Sequence, residues 1–270
     1  MNPVTLVATD LDGTLFYDRQ HISERDRACI ARLKRTGIML VFATGREMDG
    51  ICPALNRLSL WDGPQYIIHS GGGGIYDVAR RKDYALGMLE AGTLRDIYHR
   101  YRGYGIPIMI SQDGQLYTSC LTDILRREAL LLGYEITEVP DFETVLTKPN
   151  GKIVMNGTVE QLARMLPIVT ADPDPRYRWH RSHDNYIDCY CAGIDKGTAL
   201  RELCRRLDMP IAQTLAIGDN LNDLQLLQAA GYSACPGDGH PAVLPMVDFI
   251  SCPAQEGAFA CACEHFIFQS

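Results

Sequence analysis

Short apolar runs alternate with an amphipathic segment in the first quarter of the chain. The runs Val4–Thr9, Ile38–Ala43 and Gln65–His69 have the length and residue types of buried strands. Between the first two lies Ser23–Thr36, a helical segment that begins with a capping residue and is followed by Gly37, a typical helix stop. This β-α-β order with short links predicts a parallel sheet with right-handed crossovers.

The same alternation returns near residue 193 and continues to the end of the chain. Leu200, Leu203, Cys204 and Leu207 occupy positions i, i+3, i+4 and i+7, which predicts a helix that begins near Gly197. The pattern then predicts, in order, a strand, a helix that stops at Gly231, a strand and a helix: Thr214–Ile217, Leu221–Ala230, Val247–Ile250 and Glu256–Phe266. Both ends of the chain therefore contribute to one core.

The middle of the chain has a different pattern, with shorter strands and interspersed helices. The predicted strands are Ile106–Ile110, Gln115–Ser119, Lys152–Asn156, Tyr177–Arg181 and Asn185–Cys191, and the predicted helices are Thr93–Arg102, Asp123–Leu132 and Val159–Leu166. Tyr186, Asp188 and Tyr190 share one face of the last strand, which predicts a sheet with one less buried face. We therefore predict an α/β fold: a doubly wound, mostly parallel Rossmann-like core formed by residues 1–78 and 193–270, with an α+β domain inserted at 79–192.

Composition and charge narrow the class of protein. The chain of 270 residues is 46% hydrophobic and 22% charged, which is typical of a globular domain with a sizeable core. Its net charge of −7 disfavours a general nucleic-acid or anionic-membrane surface. No apolar run approaches the roughly 20 residues that span a bilayer, and the first residues lack a signal-peptide pattern. We expect a cytoplasmic protein that binds neither nucleic acid nor membrane.

Ten cysteines are scattered along the chain without paired zinc-type spacing. Two C-x-C pairs, Cys189 with Cys191 and Cys261 with Cys263, invite a metal interpretation. Packing of reduced thiols as small apolar side chains is the favoured interpretation.

Chemically reactive residues follow the predicted core strands or open a core helix. They form four segments: Asp10-Leu11-Asp12-Gly13-Thr14, Thr44-Gly45-Arg46, Lys196-Gly197 and Gly218-Asp219-Asn220-Leu221-Asn222-Asp223. Open α/β sheets bind ligands beyond the carboxyl ends of their strands, so these segments are expected at the ligand-binding edge. Asp10 and Asp12, two residues apart, would repel each other unless a cation or a shared proton relieves them.

These residue types suit phosphoryl chemistry. Mg²⁺ binds one or two carboxylates together with substrate phosphate and water. Thr44, the amide of Gly45 and Lys196 could hold a phosphoryl group. An aspartate can act as a covalent nucleophile, and a second acid can protonate the leaving oxygen and then activate water.

The four segments, in this order, resemble the motifs of the haloacid dehalogenase-like (HAD) phosphatases. The position of the insertion is similar to that of the Cof-type subgroup, which has a large α/β cap of type C2B. The resemblance implies that Asp10 is the nucleophile and a Mg²⁺ ligand, and that Asp12 is the general acid/base and a ligand through its main-chain carbonyl. It further implies that Asp219 and Asp223 complete the metal site, and that the phosphoryl group is bound by Thr44, Gly45, Lys196 and Asn222.

Two positions depart from the family pattern. Where relatives carry Ser-Asn-Gly after the third core strand, this chain has Ser70-Gly71-Gly72, so the side-chain amide is missing. Where relatives carry Asn-Ala after Gly231, this chain has Gly237-Asp238-Gly239, so Asp238 either adds negative charge near the phosphate or points away. For Arg46, a surface or ion-pairing role is expected rather than a catalytic one.

The leading hypothesis is a Mg²⁺-dependent phosphoric monoester hydrolase that acts on a small phosphorylated metabolite, such as a sugar phosphate or a phosphorylated cofactor. A phosphomutase or phosphotransferase would use the same motifs. A phosphometabolite sensor without turnover is a third interpretation, which the complete set of reactive residues disfavours.

Overall fold

The structure is a computed structural model that describes residues 2–18, 20–132 and 135–268. The chain divides into two compact units. One combines residues 1–86 with 194–270, and the other comprises residues 87–193. Each unit is built around its own sheet.

The helices and strands are numbered in chain order. The strands in the described part of the chain are β1 (Leu6–Thr9), β2 (Met39–Ala43), β3 (Tyr66–His69), β4 (Gly74–Asp77), β5 (Lys82–Ala85), β6 (Ile108–Gln112), β7 (Gln115–Thr118), β8 (Ile136–Glu138), β9 (Lys152–Asn156), β10 (Tyr177–His183), β11 (Tyr186–Cys191), β12 (Thr214–Ile217), β13 (Tyr232–Cys235) and β14 (Phe249–Ile250). The α-helices there are α1 (Glu24–Thr36), α2 (Met48–Leu58), α3 (Ala91–Tyr101), α4 (Asp123–Leu132), α5 (Val159–Thr170), α6 (Lys196–Arg206), α7 (Leu224–Ala229) and α8 (Ala258–Phe266).

The first unit has a sheet in the order β14-β13-β12-β1-β2-β3-β4-β5. All pairs from β14 to β3 are parallel, and β1 lies centrally, with Leu6 opposite Thr214 on one side and Met39 on the other. Neighbouring residues of β1 pack into different clusters. Val7 packs with residues of α1, α2 and α8, whereas Leu6 packs with residues of α6 and α7. Helices therefore cover both faces, and the predicted doubly wound α/β core is confirmed.

The division between the units falls after Leu86, whereas the sequence pattern placed the first boundary after Val78. The hairpin β4–β5 accounts for the difference. β4 pairs antiparallel with β3, and β5 pairs antiparallel with β4, so both strands extend the core sheet.

The second unit has a mixed sheet in the order β10-β11-β9-β6-β7-β8. Residues of α3 and α5 pack on one face, and Leu125 of α4 packs against Met109 and Val154. The expectation of a less buried face on β11 was wrong at two positions. Asp188 and Tyr190 are buried, because the Asp188 carboxylate accepts hydrogen bonds from the Lys152 ammonium and the Tyr190 hydroxyl.

The helix termini that position the site follow their sequences closely. The Ser23 hydroxyl accepts a hydrogen bond from the Asp26 N–H and caps α1, and Gly37 ends that helix with φ of 74°. Asp195 caps α6 in a reciprocal arrangement with Thr198, which fixes Lys196 as the first residue of the helix.

Candidate active site

The predicted site residues lie at the carboxyl edge of the core sheet. Asp10 directly follows β1, and its N–H donates to the Ile217 carbonyl at 2.8 Å, which extends the pairing between β1 and β12. Thr44 directly follows β2, and its N–H donates to the Ile68 carbonyl at 2.8 Å. The ends of three adjacent strands therefore bring the first, second and fourth motifs to one edge, as parallel topology requires.

Lys196 joins two of the predicted carboxylates. Its Nζ donates to Asp10 Oδ1 and to Asp223 Oδ1, each at 2.6 Å. The lysine side chain is 1% exposed, and both partners are buried. A buried ammonium is stable only when it is paired and hydrogen-bonded, so the local fold depends on all three groups.

The electrostatics of this cluster are dominated by burial and by like charge. Burial and then the Asp223 charge raise the pKa of Asp10 well above its usual value. The same two causes raise the pKa of Asp219 to about 7. Burial lowers the pKa of Lys196, but the adjacent Asp10 and Asp223 carboxylates outweigh it, so the pKa is raised and the ammonium stays charged.

Three carboxylates form a candidate metal centre. One oxygen each from Asp10, Asp219 and Asp223 lies within 4.8 Å of the others. The donor set contains only oxygen, which is what Mg²⁺ prefers. If these carboxylates and Lys196 are all ionised, their charges sum to −3 + 1 = −2, which a divalent cation would neutralise. The residues present therefore fit Mg²⁺.

Residues near Asp219 hold its carboxylate in place. The Thr14 hydroxyl donates to Asp219 Oδ1 at 2.8 Å, and Thr14 is fully buried. Gly13 has φ of 91°, and a Cβ at this position would lie 2.5 Å from Asp219 Oδ2. Glycine is therefore required at this turn both by the backbone conformation and by the approach of the carboxylate.

Asp223 accepts hydrogen bonds from the main chain of the segment that follows β12. Asp223 Oδ2 accepts hydrogen bonds from the N–H groups of Asp219 and Asn220, both at 3.2 Å. Its other oxygen accepts from Lys196. In the described part of the chain, Asn222 Oδ1 is buried and has no hydrogen-bond partner. A buried polar atom left in this state is suited to a ligand.

Asp12 lies outside the group of three metal-compatible carboxylates. Arg46 donates to both of its carboxylate oxygens, from Nε to Oδ2 at 2.7 Å and from Nη2 to Oδ1 at 2.5 Å. Arg46 lies in the loop that also carries Thr44 and Gly45, and its N–H donates to the Thr44 hydroxyl oxygen at 3.1 Å. The ion pair therefore connects the first motif to the second.

Comparison with known proteins identifies the family. The sequence pattern of the haloacid dehalogenase-like hydrolases matches residues 7–262. This chain belongs to that family. The resemblance inferred from the four motifs is thereby confirmed, and so is the fold that it implied.

Similar proteins within the HAD-like family include named phosphatases. The Bacillus subtilis (strain 168) protein "Putative phosphatase YxeH" is 26% identical over 249 residues, covering 90% of this chain and 91% of that protein. The structure of a HAD-like hydrolase from Bacteroides thetaiotaomicron is similar with a TM-score of 0.85 and 28% identity, covering 97% and 99% of the two chains. The HAD subclass IIB sugar phosphatase BT4131 has a TM-score of 0.82, covers the same shares and is 18% identical, so it shows the fold alone.

The departure from the HAD-like pattern at Asp238 has a structural explanation. Asp238 Oδ1 accepts a hydrogen bond from the Ala254 N–H at 2.9 Å, at the start of the short 3₁₀ helix Ala254–Glu256. The neighbouring His240 N–H donates to the Asp219 carbonyl at 2.8 Å. This loop therefore supports the main chain of Asp219, while the Asp238 carboxylate is engaged elsewhere.

Sequence reasoning missed two side chains of this HAD-like site. Thr14 belongs to the first motif, and its position two residues after Asp12 was the one feature of the sequence that could have indicated a role in the site. Arg46 was expected to have a surface or ion-pairing role, but nothing in the sequence identified Asp12 as its partner.

In the described part of the chain no helix is both long and apolar enough to cross a membrane.

Proposed function

We propose that this protein is a Mg²⁺-dependent phosphatase that hydrolyses a small phosphorylated metabolite through an aspartyl-phosphate. A sugar phosphate or a phosphorylated cofactor is the expected substrate class. The observation that carries the proposal is the convergence of Asp10, Asp219 and Asp223 around one paired ammonium, Lys196. The three carboxylates carry more negative charge than Lys196 compensates, and one of them is the proposed nucleophile. Such a cluster suits a reaction in which a bound divalent cation lies next to a phosphoryl dianion.

Asp10 acts as the nucleophile in this proposal. One carboxylate oxygen forms a bond to phosphorus, while the bond between phosphorus and the alcohol oxygen of the substrate breaks. Lys196 holds Asp10 in place and compensates part of the charge near the attacked phosphoryl group. The carboxylate is buried, so little water must be displaced from it before attack.

Asp12 moves the protons. It donates a proton to the leaving alcohol oxygen in the first step. In the second step it removes a proton from the attacking water, whose oxygen bonds to phosphorus while the bond between phosphorus and Asp10 breaks. Phosphate leaves, and both aspartates end the cycle as they began. The Arg46 guanidinium orients its carboxylate. A carboxylate that accepts one bond at each oxygen keeps further lone pairs, so Asp12 can exchange a proton while this contact persists.

Magnesium would be held by the side chains of Asp10, Asp219 and Asp223 and by the Asp12 carbonyl. When bound, it supplies positive charge that stabilises the phosphoryl oxygens during transfer. The Thr44 hydroxyl, the Gly45 N–H, Lys196 and Asn222 bind the same oxygens from the protein side. Asn222 Oδ1 has no hydrogen-bond partner among the described residues, so its amide is not held in one orientation. If the amide turns over, its NH₂ group can donate to a phosphoryl oxygen, which supports a ligand role for this residue.

We also propose that the inserted unit, residues 87–193, is a C2B-type cap that selects the substrate. BT4131 is named as a sugar phosphatase, and the fold is the property it shares with this chain. The identity of the leaving alcohol is expected to depend on the side chains of this inserted unit.

A phosphate-release screen tests the proposal. The purified protein is incubated with a panel of sugar phosphates and phosphorylated cofactors, with Mg²⁺ or with EDTA, and Asp10→Asn serves as the matched inactive variant. We expect free phosphate with Mg²⁺ and wild-type protein only. Transfer of the phosphoryl group to an acceptor would instead show a phosphotransferase, and tight binding without release would show a sensor.

A further inference from the structure

The turn that follows β3 has an uncommon backbone conformation. Ser70, Gly71 and Gly72 all lie in the left-handed region, with φ of 51°, 64° and 108°. Glycine adopts this region freely, but Ser70 has a Cβ and adopts it at a steric cost. A serine is therefore stable in this conformation only if its surroundings hold it.

This turn supports the loop that carries the second motif. The Ser70 N–H donates to the Arg46 carbonyl at 2.8 Å, and the Gly71 N–H donates to the Thr44 carbonyl at 3.0 Å. Gly72 lies so close to Asp195, the residue before Lys196, that a Cβ at Gly72 would overlap the Asp195 carbonyl. The turn is thus in contact with both segments that supply the proposed phosphoryl-binding groups.

A histidine and an aspartate hold Ser70 from the adjacent hairpin. His69 Nδ1 lies 3.1 Å from Ser70 Oγ, and His69 Nε2 lies 2.9 Å from Asp83 Oδ1 on β5. Because an ionised carboxylate only accepts, the ring donates from Nε2 to Asp83, and Nδ1 is left to form the hydrogen bond with the Ser70 hydroxyl. Gly74 lies opposite His69, and a Cβ there would overlap the imidazole ring.

We propose that His69 and Asp83 are positioning residues for the reaction. Asp83 orients the imidazole, the imidazole fixes the Ser70 side chain, and the turn places Thr44 and Arg46 through two main-chain hydrogen bonds. This inference rests on the proposed function, because the turn affects the reaction only if Thr44 binds the phosphoryl group and Arg46 orients Asp12. It assigns no contact with substrate to His69 or Asp83.

The kinetic test separates positioning from a merely structural role. Asp83→Asn replaces a carboxylate that only accepts with an amide that can donate as well as accept, so it no longer fixes which ring nitrogen carries the proton. His69→Gln carries its donor and its acceptor on one amide group instead of on two ring nitrogens. Asp83→Glu restores a carboxylate that only accepts. Asp248→Asn is the matched control, since Asp248 Oδ2 accepts from the Ser233 N–H and hydroxyl, both at 2.8 Å, at the opposite end of the sheet.

Steady-state hydrolysis of p-nitrophenyl phosphate with Mg²⁺ and inhibition by inorganic phosphate are measured for each variant. We expect kcat/KM to fall about 10- to 100-fold in Asp83→Asn and His69→Gln. The inhibition constant for phosphate should rise with KM, because Thr44 is displaced. Asp83→Glu should recover most of the loss, and Asp248→Asn should keep wild-type constants even if its thermal midpoint falls.

Two outcomes would overturn the inference. One is that Asp83→Asn and His69→Gln keep KM, kcat and phosphate inhibition within about twofold of wild type. The other is that Asp248→Asn loses activity to the same extent, which would show a general effect of sheet stability. Asp83 is 49% exposed, so Asp83→Asn decides the matter if His69→Gln does not fold. Asp10→Asn is run in parallel, since its activity reports on the proposed function alone.

Discussion

The Arg46 guanidinium donates to both carboxylate oxygens of Asp12, at 2.7 and 2.5 Å. This two-point contact fixes the plane of the carboxylate as well as its position. Both side chains are largely buried, at 15% and 27% exposure, so solvent screens the pair only partly. The residue proposed to move protons is therefore oriented by the loop proposed to bind phosphate.

Arg46→Lys tests this relationship. Lysine keeps the charge but cannot reproduce the planar two-point contact. We expect kcat to fall about 10- to 100-fold for alkyl phosphates, whose leaving oxygen needs a proton. The loss should be smaller for p-nitrophenyl phosphate, whose leaving group is stable as an anion. An equal loss for both substrate classes would contradict a role that acts through Asp12.

Thr14→Val tests the support of the metal centre. The substitution keeps the shape of the side chain and removes the hydroxyl that donates to Asp219. We expect the Mg²⁺ concentration for half-maximal activity to rise about 10- to 100-fold. Thr214→Val is the control, since Thr214 is also fully buried and its hydroxyl donates to the Ile211 carbonyl. An unchanged Mg²⁺ requirement in Thr14→Val would refute the metal assignment of Asp219.

Lys196→Met tests the dependence of the fold on the paired ammonium. The substitution leaves the buried Asp10 and Asp223 carboxylates without their shared cation. We expect the free energy of unfolding in urea with EDTA to fall by about 3–5 kcal/mol, and added Mg²⁺ to restore part of it. Arg205→Met, which breaks an exposed pair with Glu202, should lower the free energy of unfolding far less, because solvent screens that pair. Wild-type stability of Lys196→Met in EDTA would contradict this account.

Asp26 predicts a pH dependence of stability. Its carboxylate is fully buried and accepts from the Ser23 hydroxyl and the Ala260 N–H, both at 2.8 Å, and burial raises its pKa from 3.8 to about 6. The folded state therefore keeps a proton that the unfolded state releases. The corresponding stabilisation is complete below pH 3.8 and is lost as pH rises through about 6.

Asp26→Asn removes this titration. We compare the free energy of unfolding of the variant with that of wild type at each pH. We expect this difference to shift by ~3 kcal/mol in favour of the variant between pH 3.5 and pH 7. Urea unfolding at a series of pH values measures the difference. A difference that does not change with pH would show that Asp26 titrates alike in both states.

The sequence pattern predicted five strands of the core sheet, β1, β2, β3, β12 and β14, but it did not predict β4, β5, β13 or the helix after β2. β12 was predicted at its observed bounds, because the three apolar residues after Thr214 run directly into Gly218. α2 spans Met48–Leu58 and was not predicted, since Gly50 and Pro53 both disfavour a helix interior. Burial of Ile51 and Leu55 in the core outweighs these local preferences.

The site was predictable where its residues are contiguous with a strand end. Asp10 and Asp219 each follow an apolar run, so parallel topology alone brings them to one edge. The contacts of Arg46 with Asp12 and of His69 with Asp83 join residues 34 and 14 positions apart. Such pairs depend on loop conformation and on the β4–β5 hairpin, and no periodicity in the chain encodes which carboxylate each cation or imidazole meets.

In the proposed mechanism, Asp10 carries the phosphoryl group during turnover. Asp12→Asn removes the proposed base for the second step, while p-nitrophenyl phosphate needs no acid for the first. The variant is mixed with this substrate and Mg²⁺ and quenched in acid, and its peptides are analysed by mass spectrometry. We predict a burst of one p-nitrophenolate per protein and a phosphoryl group on Asp10. An unmodified Asp10 accompanied by steady hydrolysis, or full activity of Asp10→Asn, would contradict the mechanism.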